Sequence, residues 1–391
     1  MDSDRPLTDH HLFFKPGEVF EFGDDEYRIE RKLRSRSTSM VWLAAHTNKR
    51  DHVQNDQSVV ALETFGDLLS MIVSMDANNA ALRYVQDLNV RQKEGTPGSQ
   101  YCDRSLQVHM SAEPRLCIAK EPCGPTLAAL QATQPHQSFT LPISKRIVKQ
   151  TLLALSFIHT TMKRTHMGVN PHNIQVALLG TKEQLTANIR DHLSSNPPEM
   201  IYPESVPDHY FVSSKGSRAM MKAQPLPAFG LSPSLDNLEV RLGGCEYATL
   251  VKDLQEFASE DETNVMEELH TSFVLSAPEA LRGSPRPFSA GVNIWAVGHL
   301  YHVRERPGIL LTSTTIPAYY TYIVLGELTS LCSPHVLETR LRGFPHINQE
   351  MSDGDVQATC AFLSQCFEMN PARRPTAKRL LADEWFSAGT Q

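Results

Sequence analysis

The sequence has few features of a metal-binding, secreted or membrane protein. Its seven cysteines are scattered over 391 residues without a Cys-x-x-Cys pair, so neither a zinc site nor a disulfide framework is expected. The N-terminus is polar and acidic, unlike a secretory signal, and no apolar run is long enough to span a bilayer. With a net charge of -7 and no dense basic patch, the chain is not expected to bind nucleic acid. We therefore expect an intracellular protein that binds neither a membrane nor nucleic acid.

The hydrophobic content of 41% is sufficient for a sizeable core, and the pattern along the chain changes from strands to helices. Period-two alternation and short apolar runs predict strands, and periodicity near 3.6 predicts helices. The predicted strands are 27–33, 40–44, 58–65, 116–119 and 240–242. The predicted helices lie at 66–88 (one or two), 144–161, 290–304, 317–331 and 355–368, the last with Ser352 as its N-cap.

This order predicts an α+β protein with two lobes. Residues 1–14 are expected to form an N-terminal arm, 15–121 a β-rich N-lobe and 122–388 a larger helical C-lobe. Within the second lobe, residues 180–238 contain seven prolines and little apolar periodicity. We predict that this segment is a long, loosely ordered insert.

One short stretch suggests an enzyme family. His166, Pro171 and Asn173 have the spacing of the protein-kinase catalytic loop, His-x-Asp-[Leu/Ile]-Lys-Pro-x-Asn. Six further segments follow the family's order. They are Lys32–Leu33 with Met40–Ala44, Leu116–Ile118 with Gly124–Leu127, Arg241–Ala248, Ser276–Glu279, Asn293–Gly298 and Asn370–Thr376. Over residues 15–388 the chain resembles the eukaryotic protein kinases, and within them the SR-protein kinases, especially the fungal ones. The resemblance implies the bilobal protein-kinase fold.

The residues that perform phosphoryl transfer in this family are missing. Gly168 replaces the catalytic Asp, and Asn170 replaces the Lys two residues later. Gly244 replaces the Asp that binds Mg²⁺, whereas the second metal ligand, Asn173, is retained. Because one amide cannot hold Mg²⁺ against its hydration shell, we expect the Asn173 side chain to bind the loop backbone instead. Glu246, two positions after Gly244, is a weaker candidate for the missing carboxylate.

The nucleotide-binding positions are altered as well. Arg34 and Arg36 stand at the first two positions of the Gly-rich loop, where their side chains would obstruct close approach of the backbone to phosphates. They form either a solvated hairpin tip or, by charge, a phosphate contact. Glu63 replaces the third-strand Lys, and the helix-C Glu that pairs with this Lys is missing near Ala80. Lys120 stands at the gatekeeper position, where it either pairs with Glu63 or is exposed.

The residues that support the fold in this family are retained. Glu279 and Arg374 are implied to form a buried ion pair, and Trp295 and Gly298 to keep their packing positions. Asn293 replaces an Asp that braces the catalytic loop. His159, His166 and His172 lack acidic or cysteine neighbours at ligand spacing and are expected to be structural.

These losses favour a pseudokinase that binds a protein partner, as a scaffold or allosteric partner, in the cytoplasm, the nucleus or both. No cofactor is expected in that case. The alternative is an active or weakly active Ser/Thr kinase of the SR-protein-kinase type that uses ATP and Mg²⁺. That function would require Arg34, Arg36 or Lys120 to contact the phosphates, and Glu246 to replace the missing Asp.

Overall fold

The structure is a computed structural model, and it describes most of the chain. The described residues are 14–36, 39–50, 58–66, 70, 80–110, 116–166, 168–201, 220–245, 277–281, 289–302, 333–343 and 351–387. The predicted helix at 317–331, and Glu246, lie outside them. None of the described helices is both long and apolar enough to cross a membrane.

The chain divides into two compact units. The sheet unit comprises Met1–Val90, Asp103–Pro125 and Val176–Ser232. The helical unit comprises Arg91–Cys102, Thr126–Gln175 and Pro233–Gln391. The predicted break near residue 121 lies close to one of these boundaries, but the assignment of all of 122–388 to one lobe is corrected, because 176–232 belongs to the sheet unit.

The sheet unit is built on a six-stranded antiparallel sheet with the order β1-β2-β3-β4-β6-β5. Its strands are β1 (Val19–Phe22), β2 (Asp25–Ser35), β3 (Ser39–Asn48), β4 (Ser58–Phe65), β5 (Ser105–Met110) and β6 (Leu116–Lys120). The four strands predicted in this part of the chain are confirmed. The strands β1 and β5, which lie at the two edges of the sheet, are not among the predicted strands.

Because strand side chains alternate, the sheet has two different faces. One face carries an aromatic and aliphatic core that includes Tyr27, Trp42 and Leu62. The opposite face carries Leu33, Val41, Leu43 and Ala61. Both faces are buried, so the central strands β3 and β4 are apolar almost throughout.

The described parts of the segment 180–238, residues 180–201 and 220–238, are more ordered than predicted. They contain a four-turn helix, α4 (Lys182–Ser195), and two short paired strands, β8 (Met200–Ile201) and β9 (Met220–Met221). Thr181 and Gln184 form a capping box at the start of α4, which satisfies two backbone N–H groups. Ile189 and Leu226 are buried against the sheet face of Leu33 and Val41. The described parts of the segment are ordered because these few apolar side chains pack on the sheet, which the weak periodicity does not predict.

The remaining helices are α1 (Ala80–Lys93), α2 (Leu127–Ala132), α3 (Leu141–Thr160), α5 (Pro278–Leu281), α6 (Gly291–His302), α7 (Pro334–Arg342), α8 (Asp353–Cys366) and α9 (Ala377–Leu380). The strands β7 (Ile174–Val176) and β10 (Val240–Leu242) pair in a small sheet. The predicted helices at 144–161, 290–304 and 355–368 and the strand at 240–242 are confirmed. So is the N-cap Ser352, whose Oγ accepts a hydrogen bond from the Asp355 backbone N–H at 3.1 Å.

Candidate functional site

A buried charge cluster lies on the sheet unit at the position of the missing third-strand Lys. The carboxylate of Glu63, in β4, is 1% exposed. Its Oε2 accepts a hydrogen bond from Lys120 Nζ at 2.7 Å. Its Oε1 accepts one from Ser39 Oγ at 2.6 Å and one from Arg36 Nη1 at 3.2 Å. The Lys120–Glu63 contact therefore exists, and the alternative of an exposed Lys120 is wrong.

A second carboxylate completes the cluster. Asp103 Oδ2 lies 2.8 Å from Lys120 Nζ, and its side chain is 5% exposed. Asp103 is not among the predicted site residues, because it belongs to no kinase motif. The register of β5 on β6 opposes Ser105 to Lys120 and so places Asp103 nearby. The one available signal was the charge balance, since a single carboxylate cannot compensate a buried Lys and a neighbouring Arg.

The cluster holds Glu63 in its ionised form. Burial alone would raise the pKa of this carboxyl, but the charges of Lys120, Arg36 and Arg34 outweigh it and lower the pKa below its usual value. Burial, together with the adjacent Arg36, lowers the pKa of Arg34 to about 10, so Arg34 stays positive at neutral pH. Two carboxylates, Glu63 and Asp103, thus lie among three cationic side chains, those of Lys120, Arg36 and Arg34.

Arg36 does not lie on a solvated hairpin tip. Its side chain is 16% exposed and turns inward to Glu63. Ser39, at the third position of the Gly-rich pattern, is fully buried and contacts the same carboxylate. The backbone N–H of Arg36 donates to the Ser39 carbonyl at 2.8 Å and closes the hairpin. Arg36 and Ser39, which stand at two glycine positions of the family, therefore bind Glu63, which stands at the Lys position.

The loop that resembles the catalytic loop lies in the helical unit and is held by His166. This side chain is fully buried. Its Nδ1 accepts a hydrogen bond from the Gly168 backbone N–H at 3.1 Å, so Nε2 carries the proton and donates to the Gly243 carbonyl, also at 3.1 Å. His166 thus joins the loop to the segment that contains Gly244.

The two asparagines of the loop bind its own backbone. Asn173 Nδ2 donates to the Gly168 carbonyl at 2.8 Å, which confirms the expected backbone contact of this side chain. Asn170 Oδ1 accepts from the backbone N–H groups of His172 at 2.9 Å and Asn173 at 3.0 Å. The carbonyl of Pro171 accepts a hydrogen bond from the Ala128 backbone N–H at 3.1 Å. The loop conformation is therefore maintained without the reactive Asp and Lys.

The two glycines at reactive positions leave different amounts of room for a side chain. A Cβ on Gly168 would lie 3.1 Å from Asn173 Nδ2, so a side chain needs only a small shift of that amide. Gly244 has φ 85, a left-handed conformation that glycine adopts without strain and that Asp or Asn tolerates better than most residues. Among the described residues, no three His, Cys, Asp or Glu side chains are grouped as metal ligands would be.

The fold-supporting ion pair of the helical unit is present. Arg374 Nη1 and Nη2 donate to the two carboxylate oxygens of Glu279 at 2.6 and 2.9 Å. The same guanidinium donates to the carbonyls of Gly291 at 2.8 Å and Glu368 at 2.7 Å. It also lies over the ring of Trp295, 5.2 Å from the centroid. The predicted pair of Glu279 and Arg374 is confirmed, and its bidentate geometry is the strong form of such a contact.

Trp295 and Gly298 occupy the packing positions expected for them. Trp295 is fully buried and packs edge-on against Phe367, with ring centroids 5.1 Å apart. A Cβ on Gly298 would lie 2.7 Å from the Phe367 ring, so only glycine fits there. Asn293 Nδ2 contacts His159 Nε2 at 2.9 Å. Burial lowers the pKa of His159 to about 4, so its neutral ring accepts this hydrogen bond.

Comparisons with known proteins agree with this geometry. The crystal structure of the kinase domain of PF14_0431 matches with a TM-score of 0.52 and 14% identity, covering 96% of this chain and 99% of that one. The chain has the protein-kinase fold. The Serine/threonine-protein kinase SRPK of Physarum polycephalum is 29% identical over 164 residues, which are 41% of this chain and 35% of that protein. The kinase-like chain resembles this SRPK, as the motifs predicted. The match spans only about a third of the relative's length. No family model matches the chain.

Proposed function

We propose that this kinase-fold chain transfers no phosphate and acts as a pseudokinase, by binding a protein partner as a scaffold or allosteric partner. The observation that carries the proposal is the Glu63 cluster. In the family, a Lys at this position contacts the α- and β-phosphates of ATP. Here a buried carboxylate stands in its place and is bound by Lys120 and Arg36. We propose the cytoplasm or the nucleus as its location.

Charge reversal at this position disfavours nucleotide phosphates. A carboxylate and a phosphate at contact distance repel each other by on the order of a few kcal/mol in a partly shielded site. Lys120 and Arg36 are poor substitutes for the missing cation, because each is engaged by a buried carboxylate. Turning either one to a phosphate would leave Glu63 or Asp103 buried with less compensation.

The helical unit lacks the other groups that the reaction needs. Phosphoryl transfer requires a carboxylate that orients the hydroxyl nucleophile and a carboxylate that holds Mg²⁺. Glycine stands at both positions, at 168 and 244, and the amide of Asn173 is bound to the loop backbone. These losses and the Glu63 cluster support the same conclusion independently.

The second candidate is an active or weakly active Ser/Thr kinase that uses ATP and Mg²⁺. It is favoured by the similarity to a protein named Serine/threonine-protein kinase SRPK. The similarity extends over 35% of that relative, and its activity is therefore a proposal for this chain.

Two measurements separate the candidates. The first is radiolabelled phosphate transfer from ATP to an Arg/Ser-rich peptide, for which we expect no signal above a blank without protein. The second is thermal unfolding with and without ATP and Mg²⁺, for which we expect no Mg²⁺-dependent stabilisation. Transfer that disappears in Asn173→Ala would refute the pseudokinase proposal, because that variant removes the retained metal ligand.

A restoration experiment tests the assignment of the altered positions. The triple variant Gly168→Asp, Glu63→Lys and Gly244→Asp replaces three of the missing groups. Because Ile189 and Leu226 are buried against the sheet face next to Glu63, this variant and its control are made in a chain that also carries Ile189→Ala and Leu226→Ala. We expect the restored chain to gain ATP-dependent stabilisation. The matched control carries the neutral changes Gly168→Asn, Glu63→Gln and Gly244→Asn. Equal ATP responses in the two triple variants would contradict the assignment.

A further inference from the structure

The sheet face that carries Glu63 has an apolar part. Side chains two residues apart on a strand share a face, so Ala61 lies on the same side of β4 as Glu63. The antiparallel register places Val41 directly opposite Glu63. Val41 and Ala61 fall in the two kinase segments, G-x-G-x-x-G-x-V and V-A-I-K, that adjoin the bound nucleotide. This face of the sheet is therefore the one that would adjoin a nucleotide in an active relative.

The apolar part of this face is covered by the chain's own insert. Leu178, Ile189 and Leu226 pack with Leu33, Val41, Leu43 and Ala61 in one buried cluster. Val41 is 2% exposed, Leu43 0% and Ala61 6%. All seven residues belong to the sheet unit. An apolar face that awaits a ligand would be open to solvent in the free protein, and this one is not.

The covering segment is tied to the sheet by polar contacts that involve two buried residues of β2. Arg31, 1% exposed, contacts His192 Nε2 of α4 at 3.2 Å and donates to the carbonyl of Asn196. Burial and the charge of Arg31 lower the pKa of His192, so the neutral ring accepts this contact. The Gln224 backbone N–H donates to the carbonyl of Lys32 at 2.9 Å. The insert thus contacts β2 on both sides of residues 202–219.

We propose that residues 178–201 and 220–229 are an internal occupant of the nucleotide face, which excludes a purine ring by filling its apolar surface. The exclusion has two separable parts. Ile189 and Leu226 cover the apolar area, and the carboxylate of Glu63 repels phosphates. The inference rests on the proposed function in that it takes this face to be the one a nucleotide would use.

The first test measures access to the face by cysteine labelling of the full chain. Ala61→Cys puts a thiol on the covered face, and Ala187→Cys, the matched control, puts one on the exposed side of α4. Alkylation is followed by peptide mass spectrometry, which separates each new thiol from the native cysteines, those of the described residues being buried. We expect the thiol at 61 to react at least about ten-fold more slowly than the thiol at 187, because it reacts only after local opening.

Adding Leu226→Ala identifies what covers the face. We expect it to accelerate alkylation at position 61 by about ten-fold or more and to leave position 187 unchanged. Equal reactivity of the two thiols in the parent chain would overturn the proposal, because the face would be open. Slow labelling at 61 that Leu226→Ala does not change would also overturn it, because the insert would not be the cover.

The second test measures exclusion of the base without phosphates. The probe is a fluorescent N-methylanthraniloyl derivative of adenosine. We expect no saturable binding to the wild-type chain up to about 1 mM. The Ile189→Ala and Leu226→Ala double variant should bind at least about ten-fold more tightly, since cavities lined by apolar side chains accept apolar rings. The control Leu337→Ala, a buried leucine of α7, should gain nothing.

The outcomes distinguish this proposal from the proposed function. Saturable adenosine binding by the wild-type chain would refute the internal occupant and leave the absence of phosphate transfer untouched. Phosphate transfer from ATP would refute both proposals, because a chain that transfers phosphate must bind the nucleotide. If the double variant fails to fold, the labelling of Ala61→Cys still tests whether the face is covered. This change adds only one heavy atom to the side chain.

Discussion

Removing the charge of Glu63 tests the buried cluster directly. Glu63→Gln keeps the shape and one acceptor oxygen but places an amide N–H₂ next to Lys120 or Arg36, which are also donors. Breaking a buried ion pair by neutralising one partner typically costs about 3–5 kcal/mol. Because Asp103 stays 2.8 Å from Lys120, part of the compensation remains. We therefore expect a loss at the lower end, about 3 kcal/mol.

Native-state hydrogen exchange of the amides in β3, β4 and β6 is the suitable assay. The chain has two units, so a single two-state midpoint does not describe its stability, whereas exchange reports the sheet by itself. A loss of about 3 kcal/mol corresponds to exchange that is about 100-fold faster. In a double-mutant cycle, Glu63→Gln with Lys120→Met should cost at least about 1.5 kcal/mol less than the sum of the single changes.

An exposed pair with the same geometry provides the control. Lys222 Nζ lies 2.7 Å from Glu199 Oε2, but these side chains are 56% and 58% exposed. Glu199→Gln should therefore cost no more than about 0.5 kcal/mol. If Glu63→Gln costs as little as this control, or if the Glu63 and Lys120 changes add within about 0.5 kcal/mol, the cluster does not stabilise the sheet and the reasoning is refuted.

Three further predictions concern the helical unit, and native-state hydrogen exchange of its amides tests all of them. Gly298→Ala should lower the free energy of unfolding by about 1–3 kcal/mol, because its Cβ would lie 2.7 Å from an aromatic ring. The control Gly354→Ala, in the first turn of α8 with no atom closer than 3.8 Å, should be neutral or stabilising. A larger loss in the control than in Gly298→Ala would contradict the packing. Burial lowers the pKa of His159 to about 4, so the unfolded chain binds a proton more tightly at this residue than the folded chain does. Up to about 3 kcal/mol of the free energy of unfolding should therefore be lost as the pH falls from about 6.5 towards 4. His159→Gln should reduce that loss, and an unchanged pH dependence would speak against it. Arg374→Lys should lower the free energy of unfolding by about 3 kcal/mol, because lysine cannot make the bidentate contact with Glu279. The control Arg373→Lys, at an exposed neighbouring position, should have no effect. Equal effects of the two changes would exclude the buried pair as the cause.

Local pattern was enough to predict most elements that position the site. The alternation in β2 and the apolar runs of β3 and β4 follow from burial of the central strands, and the amphipathic period of α3 from burial of one helix face. The edge strands β1 and β5 were missed because an edge strand needs little apolar pattern to pair. Site residues with a motif, such as Arg374 and Asn173, were assigned correctly because the motif specifies the contact as well as the residue.

Sequence alone determined the protein-kinase fold and the glycines at 168 and 244, since each lies in a short motif whose spacing is local. Tertiary structure alone decided how the altered positions compensate one another. Asp103 lies 17 residues from Lys120 and reaches it only because β5 pairs with β6. Ile189 and Leu226 have no shared period and meet only on the sheet. Such contacts depend on the free energy of burying distant side chains together, which no local pattern encodes.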